Sequence, residues 1–167
     1  TDRIASHPGR PWEFAGRPVL EHVAAHYRTL SIDELIADVL RHYRGMWPVI
    51  EALVRKHATD RSQDRMIMEG SALWPEQVAA ISDHTSVAAL WLTADRELFK
   101  ARILQNSRSD ERTETEKALI EKFIERSVRY DDLMMNAVNK LSLVSIDVGT
   151  ASSIDQLKKQ WLNVMSG

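Results

Sequence analysis

Three groups of residues are of types and spacings that could do chemistry. The first lies in RMIMEGSALWPE, residues 65–76, where Met66, Ile67 and Met68 are consecutive apolar residues, the pattern of a short strand buried on both faces. Glu69 then places a carboxylate at the strand's C-terminal edge, where open α/β sheets bind ligands. Gly70 allows a tight turn or the close approach of a ligand, and Pro75 suits the first turn of a helix. Such an acid can serve a bound ligand, or it can simply pair with a cation at the sheet edge. The second group is Arg102, Arg108 and Arg112, three guanidinium groups within 11 residues, a density that suits anion binding. Taken singly, each could also be a solvated charge or a stem packed on a helix. The third is His22 and His26, spaced i,i+4. A helix with that spacing can hold a metal, but no third ligand is evident and the neighbouring acid precedes the first histidine, so zinc is the weaker reading.

The chain that must position these groups has 167 residues and a formal net charge of -2, which argues against general affinity for nucleic acid or anionic membrane. Its size suits one domain over 1–167. With 44% hydrophobic and 28% charged residues it has the composition of a globular protein. Zero cysteines remove disulfides and thiolate metal sites and make a cytoplasmic location the easier expectation. No apolar run approaches a membrane span.

Residues 1–18 read as an irregular loop and residues 18–30 as a short helix. Ser31 with Glu34 forms a capping-box pattern ahead of Leu35, Ile36, Val39, Leu40, Tyr43, Trp47, Ile50, Leu53 and Val54, which repeat at helical spacing. Gly45 and Pro48 fall inside that run and predict a kink or two abutting helices. VAALWL (87–92) and LSLVSIDVG (141–149) read as further buried strands. Thr113 and Glu116 predict the start of a long helix carrying Leu119, Phe123, Leu133 and Val138. Glu125 and Arg129 are placed for an i,i+4 ion pair on it. Ser153 and Gln156 open a last helix, with Ile154, Leu157, Trp161, Leu162 and Met165 facing inward. Strands alternating with helices predict an α/β fold, a mostly parallel sheet flanked by helices.

The order of a hydrophobic strand, EG, a second buried strand, TADRELFKARI, an arginine-bearing segment, SVRYDDLMMNAV and a final strand resembles P-loop kinases of the nucleoside-monophosphate-kinase type. Within them it is most similar to small-molecule kinases in the neighbourhood of the 2-phosphoglycerate, gluconate and shikimate kinases. The resemblance covers most of the chain and implies a three-layer P-loop NTPase-like sandwich acting on ATP and magnesium with a small-molecule acceptor. It assigns Glu69 to the magnesium shell, through water, and sets Gly70 and Ser71 beside the transferred phosphoryl group. It makes 101–113 a lid whose Arg102, Arg108 and Arg112 close over ATP phosphates, and it matches Asp2, Arg3 and Arg10 to acceptor binding. Phosphoryl transfer needs alignment and charge neutralisation rather than covalent help.

The chain departs from that pattern in one respect. No Gly-Lys pair occurs in it, so the phosphate loop G-x-x-x-x-G-K-[ST] is missing, as is the strand before it. The resemblance places both ahead of the region matching Thr1, so truncation or a loop supplied elsewhere is the expectation, with weak ATP binding by the chain alone. A non-catalytic binding or regulatory module that kept the scaffold is the alternative from a different class.

Overall fold

The structure is a computed structural model and describes residues 11–12, 19–60, 62, 66–82, 86–150 and 154–166. In order, its elements are α1 (Glu21–Thr29), α2 (Ile32–Thr59), α3 (Pro75–Ala79), β1 (Trp91–Thr93), α4 (Arg96–Ser107), a 3-10 turn (Ser109–Glu111), α5 (Glu114–Lys140), β2 (Ser145–Asp147) and α6 (Ile154–Ser166). The residues group into two compact units, Thr1–His42 with Asp95–Asp132, and Tyr43–Ala94 with Leu133–Gly167.

This corrects the expected fold class. The described residues are mostly helical, and their sheet has two strands, β1 paired in parallel with β2 in the register Trp91↔Ser145, Leu92↔Ile146, Thr93↔Asp147. The described residues form no three-layer sandwich with a mostly parallel sheet. The physical reasons differ at each expected strand. Met66–Glu69 belongs to no strand among the described residues; it anchors to the core through Met68, while Ile67 is 79% exposed. Apolar, β-prone residues become a strand only where a neighbour completes the ladder. At the third expected strand, Leu141 to Leu143 are used to end α5. Ser142 takes a left-handed φ of 52°, and Leu143 N–H donates back to Val138 O at 3.0 Å, the six-to-one closure that satisfies helix-end carbonyls. The strand therefore begins only at Ser145.

The helices follow local signals closely. Ser31 N–H donates to Glu34 Oε2 at 2.7 Å while Glu34 N–H donates to Ser31 Oγ at 3.3 Å, closing a reciprocal capping box. Thr113 and Glu116 repeat it at 3.0 and 3.3 Å, and Asp95 caps α4 by accepting from Leu98 N–H at 2.8 Å. The capping position Ser153 lies outside the described residues. α2 runs as one helix through Gly45 and Pro48, so two abutting helices do not form.

In the first unit Val23, Tyr27, Leu35 and Leu119 pack together, and Trp12, Ile120 and Ile124 form a second cluster. Phe123 borders both, with Trp12 edge-on at 4.8 Å and Tyr27 tilted at 5.9 Å between centroids. In the second unit Trp47, Ile50, Val78, Ile81, Trp91 and Val138 make the core. Trp161 and Leu162, expected to face inward on α6, are 37% and 53% exposed, because α6 lays that side of its stripe toward solvent. Among the described residues, no helix is long and apolar enough to cross a membrane.

Candidate functional site

In the second unit the apolar segment Met66–Met68 runs into a turn formed by Glu69, Gly70 and Ser71. Gly70 has a φ of 144°, a region that residues with a Cβ rarely adopt, and a Cβ built there would meet nothing within 4 Å. The glycine therefore answers a backbone requirement, and it leaves the main chain open to an approaching group. Leu73 N–H closes the turn on Gly70 O at 3.1 Å, and Pro75 starts α3 as its first residue. The Ser71 hydroxyl lies 2.7 Å from the Tyr43 hydroxyl of α2, which orients it. Glu69 is exposed and has no hydrogen bond or ion pair among the described residues.

The arginine segment belongs to the first unit and runs from α4 through the 3-10 turn to the start of α5. Arg102 sits exposed on α4 with no hydrogen-bond or ion-pair partner among the described residues. Arg108 ends that helix in the left-handed region, φ and ψ both 50°, with its backbone N–H on Gln105 O and Leu104 O; its guanidinium is 3.9 Å from Glu111. Arg112 does structural work. Its Nε donates to Ser107 O at 3.0 Å, its NH1 lies 3.7 Å from Glu116, and Ser107 is fully buried. It thus ties the end of α4 to the start of α5. Of the three expected lid cations, Arg102 and Arg108 offer exposed charge and Arg112 is committed. Asp2, Arg3 and Arg10 lie outside the described residues.

Several ion pairs were not legible in the sequence. Arg129 NH2 lies 2.7 Å from Asp33, in place of the expected pairing with Glu125. Asp33 stands in the first turn of α2, where a helix N-terminus already favours an acid. Arg96 pairs with Asp132 at 2.8 Å. These cations and Lys100 border a groove of about 560 Å³ on α4 and α5, floored by Ile124 and Val128. Glu121, Glu125 and Asp132 line it too, so its charge is largely balanced and selects no sign of ligand.

Two carboxyls are held below their ordinary value by their capping boxes. Glu34 is lowered by hydrogen bonds from the Ser31 backbone and side chain, with a smaller contribution from the Lys122 charge. Glu116 is lowered in the same way by Thr113, then by Arg112. Asp131 is pushed up by burial and by the neighbouring Asp132. His26 Nε2 is 3.7 Å from Asp38, and His22 is exposed; among the described residues no group of three or more His, Cys, Asp or Glu is placed to hold a metal ion.

Compared with known proteins, the chain matches no family model, no curated protein and no solved structure. The kinase resemblance is therefore carried by short motifs of this sequence alone.

Proposed function

We propose that this chain carries the magnesium-acid turn of a kinase-type phosphotransferase, which moves the γ-phosphoryl group of ATP to a hydroxyl or phosphate of a small metabolite. The observation that supports it is the Glu69–Gly70–Ser71 turn. It combines an exposed carboxylate that has no partner among the described residues, a glycine with open space above it, and a hydroxyl oriented by Tyr43.

These residues fit magnesium. That ion keeps several waters and takes one or two carboxylates together with substrate phosphate oxygens, so a single free glutamate suffices as the protein's acid. When bound, the metal neutralises charge on the phosphoryl group in flight. Glu69 would hold the ion through its water shell. Gly70 lets the main chain approach phosphate oxygens with no side chain between. Arg102 and Arg108 are exposed cations of the first unit and Arg112 keeps the helix junction there.

A non-catalytic binding module is the second reading, favoured by the lack of any Gly-Lys pair in the sequence, since backbone amides and a lysine normally hold the β- and γ-phosphates. Calorimetric titration with ATP, with and without magnesium, separates the two. The phosphotransferase reading expects weak binding, about millimolar in dissociation constant, that strengthens with magnesium and loses this gain in Glu69→Gln. Binding that ignores both magnesium and the substitution supports the second reading, and absence of binding contradicts the first.

A further inference from the structure

Arg126 of α5 is 8% exposed, the charged side chain that the fold buries among the described residues. Its guanidinium carbon sits 5.1 Å from the centre of the Phe123 ring, the ring that also meets Trp12 and Tyr27. A ring face attracts a cation, but it does not replace a counter-charge. Among the described residues no carboxylate pairs with it. Its helical neighbours three and four positions away are Lys122, Phe123, Arg129 and Tyr130, none of them acidic. The acids at the start of α2 are engaged elsewhere: Asp33 holds Arg129 at 2.7 Å, and Glu34 is bound to Ser31 in its capping box. Arg126 is left with no ion pair or hydrogen bond among the described residues.

Its nitrogens are not equivalent. Nε is fully shielded and lacks a partner among the described residues, whereas the two outer nitrogens are not fully shielded. With no hydrogen bond of their own, those outer nitrogens keep the residual solvent contact of the side chain. The result is a fork-shaped pair of donors in a desolvated surround, where a charge without a counter-ion is costly and a bidentate anion is bound best.

We propose that Arg126 is an anion-binding residue, taking a carboxylate or a phosphate group of a ligand on its two outer guanidinium nitrogens. This does not rest on the reading of Glu69, which belongs to the other unit.

The test follows the Nε–H resonance of Arg126 in the wild-type chain by nitrogen-15 NMR, assigned through its disappearance in Arg126→Lys. Inorganic phosphate and acetate are titrated separately, with ionic strength held constant by sodium chloride. The expected result is a saturable shift of the Arg126 signal with at least one anion, while the Arg129 signal stays in place. Response to phosphate alone assigns a phosphate ligand, response to acetate alone a carboxylate, and response to both a general anion site. In parallel, the melting temperature of the wild-type chain should rise with the responding anion beyond its rise in chloride, which keeps the test intact if Arg126→Lys does not fold. An Arg126 signal and a melting temperature that respond to neither anion more than to chloride overturn the proposal and leave Arg126 as a packing residue.

Discussion

The Tyr43 hydroxyl lies 2.7 Å from the Ser71 hydroxyl, a bond that spans 28 positions of sequence within one unit. It ties the candidate turn to α2, the longest helix in the chain. Removing it in Tyr43→Phe should cost about 0.5–1.5 kcal/mol in urea denaturation, and it should speed hydrogen exchange of the Gly70 and Ser71 amides. Unchanged exchange there would show that the turn holds itself without Tyr43.

Two glycines should respond to alanine with opposite sign, although a Cβ at either meets nothing within 4 Å. Gly45 lies inside α2, where alanine is the better helix former, so Gly45→Ala should stabilise the chain by roughly 0.5–1 kcal/mol. Gly70 has a φ of 144°, so Gly70→Ala should destabilise by about 1–3 kcal/mol through backbone strain alone. Equal and small effects at both sites would contradict the turn geometry.

The capping-box acids set a pH dependence. Glu34 and Glu116 are depressed in the folded chain by their Ser31 and Thr113 hydrogen bonds. Their contribution is present above the unfolded glutamate value of about 4.3 and is lost as pH falls through the lower folded values. The double variant Glu34→Gln, Glu116→Gln should therefore show a shallower loss of stability below that pH than the wild type. Parallel acid-unfolding curves would remove these two groups from the account.

Asp131 works in the reverse sense. Burial and Asp132 raise its carboxyl above the ordinary value, so its contribution is full below the unfolded value of about 3.9 and lost as pH rises through the folded one. Asp131→Asn should raise the melting temperature at pH 7, and the gain should vanish in acid. A gain that persists unchanged in acid would point to packing and not charge.

What the sequence made legible was local. The Ser31–Glu34 and Thr113–Glu116 boxes and the stripe from Leu35 to Val54 depend on residues three or four apart, and the helices form where these signals stand. Strands depend on a partner, which no short window contains. Met66–Met68 has the right residues for one and does not form it, and Leu141–Leu143 is spent on capping α5. Ion pairing was misread for the same reason: Arg129 finds Asp33 across the unit instead of Glu125 on its own helix. The Glu69–Gly70 turn was legible, since glycine after an acid signals a special backbone. Burial of Arg126 was not, because nothing in its neighbours marks a cation for the interior.

The central claim, that Glu69 orders a metal at this turn, is tested most directly with manganese in place of magnesium. Paramagnetic broadening falls off steeply with distance, so it maps where the metal sits. With manganese and ATP, the amide signals of Glu69, Gly70 and Ser71 should broaden first, and Glu69→Gln should abolish the effect while its spectrum remains that of a folded chain. Broadening centred elsewhere, or unchanged in Glu69→Gln, would contradict the account.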